Sequence, residues 1–99
     1  MKKYKLTLLD DAVALWGIEA QMDMLVEECA ELIVAVNHFK RNRITQDQLI
    51  SELADVEIML DQMRIIFNEN GDIDSAKEGK LERLQETVNR YTHKKGTRI

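Results

Sequence analysis

Glu27, Glu28 and Glu31 fall within one short stretch, Glu27-Glu28-Cys29-Ala30-Glu31, and Glu52 and Asp55 within another, Glu52-Leu53-Ala54-Asp55. Both stretches lie in patterns that read as helix. Residues three apart on a helix are about 60° apart around its axis, because each residue advances about 100°. Glu28 therefore shares a face with Glu31, and Glu52 with Asp55, while Glu27 reaches the first pair from its edge. Like charges at this spacing repel. Solvent can offset the repulsion, and so can a divalent cation. Glu31 is the only polar residue from Cys29 to Val36, and Asp55 stands between Ala54 and Val56. Such carboxylates are expected to be partly withdrawn from water, where an unpaired charge is costly. Neither motif has an Arg or Lys beside it. Four or five oxygen ligands on two facing helices suit a hard cation such as Mg²⁺ or Mn²⁺.

The elements that must position these acids are long helices. The chain has no proline and only four glycines. A short helix is expected from Leu8 to Trp16, capped by Thr7, with a bend or close approach at Gly17. A second is expected from Glu19 to Phe39, with an apolar stripe of Met22, Leu25, Cys29, Leu32, Val36 and Phe39. Thr45 and Gln48 form a capping box for a third, whose stripe runs Leu49, Leu53, Val56, Leu60, Met63, Phe67. Ser75 and Glu78 read as a second capping box, opening a fourth helix with Leu81, Leu84, Val88 and Tyr91 in line. Gly79 inside that helix predicts a close contact. Val26, Ile33 and Val34 on the second helix, and Ile50, Ile58, Met59, Ile65 and Ile66 on the third, widen the apolar surface beyond one face, which predicts burial on two sides and hence a homo-oligomer. The expected fold is all-α: one domain over residues 1–99 of about four helices, forming a four-helix-bundle-like core completed by oligomerisation.

Composition bounds the partners. At 99 residues, 44% hydrophobic and 32% charged, the chain reads as globular rather than disordered. A net charge of −4 argues against nucleic acid and anionic membranes. Cys29 is the one cysteine, so no internal disulfide framework is expected, in keeping with a reducing cytoplasm. The basic start is followed by Asp10 and Asp11 within the apolar stretch, so no signal peptide is expected. No apolar run approaches a membrane span.

Other chemistries fail on spacing. A ferritin-like di-iron site needs Glu three residues before His on two helices, but Ala35 and Arg90 occupy those positions before His38 and His93. Both histidines read as surface residues. A calcium loop aligned on Gly71 would place Ile66 at its first ligand and Lys77 at its last, so an ordinary turn is expected. Cys29, among apolar neighbours, reads as a buried structural thiol. Lys80 and Arg83 by themselves read as a solvated charged face beside Glu82 and Glu86.

With its two acid motifs on successive helices, the chain resembles the small MazG-like, all-α nucleoside triphosphate pyrophosphohydrolases. The lead-in Trp16-Gly17, Gln21 and Leu25, and the trailing Lys80-Leu81-Glu82-Arg83-Leu84, are similar to short members as well. The resemblance implies that Glu28, Glu31, Glu52 and Asp55 are Mg²⁺ ligands, and that Glu27 is a further ligand or a base for water. It implies that Lys80 and Arg83 contact the phosphates and that Gln21 and Trp16 face the nucleoside. It further implies release of pyrophosphate from NTPs or dNTPs by a dimer or tetramer, in a nucleotide-housecleaning role. The chain lacks the second domain of longer members and the extra helices of the dUTP-hydrolysing relatives, so no dUTP specificity is assigned. The rival function is a non-catalytic, metal-stabilised helical oligomer acting as an adaptor or nucleotide sensor.

Overall fold

The computed structural model describes residues 3–94, with side-chain environments from Thr7 to His93. It is all-α: α1 (Lys3–Trp16), α2 (Ile18–Lys40), α3 (Gln46–Phe67) and α4 (Asp72–Lys94), with no strand among the described residues. The residues divide into two compact units, one ending at Ile66 and one beginning at Phe67. No helix among the described residues is long and apolar enough to cross a membrane.

Helix ends follow local chemistry closely. Gly17 separates α1 from α2 at φ +92° and ψ 156°, a region essentially reserved for glycine. An added Cβ there would meet nothing, so the residue serves the bend and no close approach. α2 closes on Arg41, with Asn42 left-handed at φ 59°. Asn42 N–H donates to Phe39 O at 3.0 Å and Arg43 N–H to His38 O at 2.8 Å, the paired bonds of a Schellman ending. The Thr45–Gln48 capping box forms: Thr45 N–H donates to Gln48 Oε1 at 2.8 Å, and Gln48 N–H to Thr45 Oγ1 at 3.1 Å.

Two expected caps are displaced. α1 begins before Thr7, which lies inside it. α4 begins three residues before Ser75, whose N–H already bonds Gly71 O at 2.9 Å. Asn68 does the capping instead. Its Oδ1 accepts from Ile73 N–H at 2.9 Å and Asp74 N–H at 3.4 Å, and its Nδ2 donates to Asp74 Oδ2 at 3.0 Å. Asp72 and Asp74 then place negative charge in the first turn, where the helix dipole favours it. Local pattern cannot separate two overlapping caps; the Asn68 side chain reaching over the turn decides between them. The ordinary turn expected over residues 68–74 is shorter, 68–71, because Asn68 caps a helix that already begins at Asp72.

In the first unit α2 and α3 run antiparallel about the turn at 41–45. Gln21 and Met24 share a cavity with Met59 and Gln62, Glu28 and Glu31 meet Glu52, and Ala35 and His38 share a second cavity with Ile44 and Gln48. α1 packs on α2. The apolar core among the described residues is small: Ala35, Val56, Met59 and Met63. The inward line of α3 therefore runs Glu52, Asp55–Val56, Met59, Gln62–Met63. Leu53, Leu60 and Phe67, which the sequence stripe placed inward, are exposed.

Large apolar side chains remain in water on every helix. Val26 is 68% exposed and Ile33 63%, and Ile50, Ile58 and Leu60 are exposed on α3. In the second unit Leu81, Leu84, Val88 and Tyr91 form an exposed stripe along α4. So much uncovered apolar surface on so short a chain points to oligomerisation. The backbone at two glycines yields a paired prediction. Gly17→Ala, forced into a glycine-only conformation, lowers stability by about 1–3 kcal/mol. Gly79 contacts nothing that a Cβ would strike, contrary to the close contact expected. Gly79→Ala therefore raises stability by up to about 1 kcal/mol through helix propensity. Denaturant unfolding of the two variants beside wild type checks both signs.

Candidate metal centre

The inward line of α2, read as Gln21, Glu28, Ala35, repeats every seven residues, and Glu31 lies one turn on from Glu28. That of α3 contributes Glu52 and Asp55. Acids thus occupy the seam between two packed helices, where an aliphatic side chain would ordinarily sit. One carboxylate oxygen from each of Glu28, Glu31 and Glu52 lies within 4.8 Å of the other two. Oxygens on one octahedral Mg²⁺ ion lie about 3.0 Å apart at right angles and about 4.2 Å apart across it, so the three carboxylates must draw closer together to share one.

Electrostatics mark the same place. Glu28 and Glu52 are half-buried, and Oε2 of each is shut off from water with no hydrogen-bond partner. The Glu28 carboxyl is held above its ordinary pKa, first by desolvation, then by the charges of Glu31, Asp55 and Glu52. A hydrogen bond shared with Glu31 adds to the shift. An all-oxygen donor set, like-charged and carrying two orphaned buried oxygens, fits a hard divalent cation.

The distribution of burial differs from the sequence expectation. Glu31, amid its apolar neighbours in sequence, is exposed; Glu28, Glu52 and Asp55 are half-buried. Sequence neighbours point in different directions on a helix, so the apolar run around Glu31 does not enclose it. Asp55 acts on Glu28 from α3 but stands outside the three oxygens that converge. Glu27 is exposed and also outside them. Cys29 is half-buried, a free thiol.

Two cavities flank the acids in the first unit. One, of about 560 Å³, is lined by Trp16, Gln21 and Met24 with Met59 and Gln62. It joins Trp16 to Gln21, the two residues expected at a nucleoside, with Trp16 64% exposed and Gln21 buried. The other, of about 530 Å³, runs from Glu31 and Glu52 to His38 and Gln48. His38 is half-buried on that wall rather than a plain surface residue; His93 is exposed. Lys80 and Arg83 are exposed on α4, in the second unit.

Sequence reading missed Gln62 and the place of His38. A signal was present for each. Stepping along α3 from Glu52 and Asp55 at helical spacing reaches Met59 and Gln62, and His38 lies seven residues after Glu31. Comparison with protein-family models, curated proteins and solved structures returns no match.

The raised Glu28 pKa sets the sign of a pH effect. A carboxyl whose folded pKa exceeds its unfolded one burdens the fold above the folded pKa, and the burden lifts as pH falls toward the unfolded value. In metal-free protein Glu28→Gln is therefore more stable than wild type at neutral pH. The advantage disappears as pH falls to the ordinary glutamate range. Mg²⁺ or Mn²⁺ raises the wild-type melting temperature at neutral pH and leaves Glu28→Gln nearly unmoved. Thermal melts across pH, with chelator or added metal, measure all three.

Proposed function

We propose that the chain hydrolyses nucleoside triphosphates to the monophosphate and pyrophosphate, using a divalent cation held by Glu28, Glu31, Glu52 and Asp55. The observation that carries this reading is the convergence of three carboxylates in a helix seam, with buried oxygens on Glu28 and Glu52 lacking any partner. The paired motifs, Glu28-x-x-Glu31 and Glu52-x-x-Asp55, are those of the MazG-like pyrophosphohydrolases. Two long antiparallel helices joined by a short turn are the scaffold that such a site requires.

When bound, Mg²⁺ would neutralise triphosphate charge and lower the pKa of a coordinated water. The chain's own groups divide the remaining work. Glu28, Glu52 and Asp55 present half-buried carboxylates from two facing helices, so the ion would be held by helical residues rather than by a loop. Glu27, exposed at the edge of the site, would act as a further ligand or as a base for water, open to solvent where a base can exchange its proton. Lys80 and Arg83 are the cations assigned to the leaving pyrophosphate, whose developing charge they would stabilise. The exposed apolar faces support action as a homo-oligomer, dimer or tetramer.

The test is an incubation of purified protein with NTPs, dNTPs and Mg²⁺, with products separated and Glu31→Gln run alongside. Wild type is expected to release monophosphate and pyrophosphate, and Glu31→Gln to lose on the order of a hundredfold or more in rate while remaining folded. A folded, Mg²⁺-binding wild type that turns over no triphosphate would refute the hydrolase and leave a metal-stabilised helical oligomer.

A further inference from the structure

α2 carries a second apolar line besides the one that meets α3. Met22, Val26, Cys29, Ile33 and Val36 recur at alternating steps of four and three. This is the a/d pattern of a coiled coil, whose 3.5-residue period keeps one stripe facing a partner helix over several turns. At about 100° per residue, the line lies about 120° around α2 from Glu28 and about 180° from Glu31. It stands largely in water: Val26 and Ile33 are the most exposed, with Met22 at 43% and Val36 at 39%.

The two ends of the line carry opposite charges. One further step each way places Glu19 at its head and Lys40 at its foot. Asp23 flanks the head, Arg41 and Arg43 follow the foot, and all five are exposed. Acid in the first turn and base in the last also suit the helix dipole, which accounts for the order of the charges but not for the apolar line between them. A helix of this kind is complementary to a copy of itself running the opposite way. A parallel copy would set Glu19 against Glu19 and Lys40 against Lys40, and like charges facing across an interface are costly.

We propose that two copies of the chain associate through antiparallel pairing of their α2 helices along Met22, Val26, Cys29, Ile33 and Val36. The interface is isologous, with its two-fold axis at the level of residue 31. In the register that packs a positions on d positions, Val26 meets Val36 of the second copy and Cys29 meets its Ile33. Met22 lies on the aliphatic stem of the second copy's Lys40, whose ammonium reaches Glu19 and Asp23. Glu31 faces away from the pair, so the acid centres of both copies stay open. The pairing rests on neither metal nor hydrolysis; it assigns the surface and the direction of association.

The full chain is therefore studied with chelator and without nucleotide. In sedimentation over a range of concentrations, wild type is expected to associate. Ile33→Glu should weaken that association about a hundredfold or more at unchanged helix content, because pairing would bury two unpaired carboxylates. Direction is read in a Cys29→Ser background with a short bismaleimide cross-linker. Val26→Cys combined with Val36→Cys is expected to give a covalent dimer. Either change alone should not, since antiparallel pairing leaves each position about 15 Å along the axis from its own counterpart. A wild type that is monomeric at every concentration overturns the proposal, and so does an Ile33→Glu protein that associates as wild type does. Cross-linking of Val26→Cys alone overturns it in favour of a parallel pair. Failure of the double variant to cross-link overturns it in favour of another face, such as the stripe on α4. Should Ile33→Glu lose helix, the cross-linking decides, because cysteine in place of an exposed valine leaves the fold undisturbed.

Discussion

Carboxylates placed in the seam between α2 and α3 constrain nearly everything else in the first unit. Helix pairs of this length are usually held by interdigitating aliphatic side chains along the shared line. Here that line carries Glu28, Glu52 and Asp55, flanked by the buried amides of Gln21 and Gln62. What remains for an apolar core is Ala35, Val56, Met59 and Met63. Desolvation, and after it the charges of Glu31, Asp55 and Glu52, raise the pKa of Glu28. A seam of this kind weakens the fold unless a cation, a proton or a ligand occupies it, which is the usual relation between a functional site and the stability of its scaffold.

The small core explains the distribution of apolar surface. Val26 and Ile33 on α2, and Ile50, Ile58 and Leu60 on α3, stand outside the seam and in water. They are available for the burial that the seam cannot supply. Association between chains is the direct way to recover it, since short chains bury a limited share of their surface unaided. The turns, by contrast, are strongly specified. Asn42 accepts a left-handed backbone, Thr45 and Gln48 cap each other, and Asn68 caps α4 across its turn. Helix boundaries are thus set locally, leaving the packed face free to carry charge.

Helix class and number, the Thr45–Gln48 cap and the company of Glu28 with Glu31 and of Glu52 with Asp55 were all legible in the residues. Each depends on interactions within a few positions of the chain, where geometry follows from the 3.6-residue turn and side-chain hydrogen bonding. The excess of apolar positions over one face was equally legible, because periodicity records how many sides of a helix avoid water. Tertiary structure decided the rest. It rotated α3 so that Met59 and Gln62 face inward while Leu53 and Leu60 face out. It half-buried Glu28 and Glu52 while leaving Glu31 exposed, and chose Asn68 over Ser75 as the cap. It also brought Trp16, Gln21 and Gln62 around one cavity. Those outcomes depend on which faces of different helices meet, and on atoms distant in the chain, so no local pattern of residues contains them.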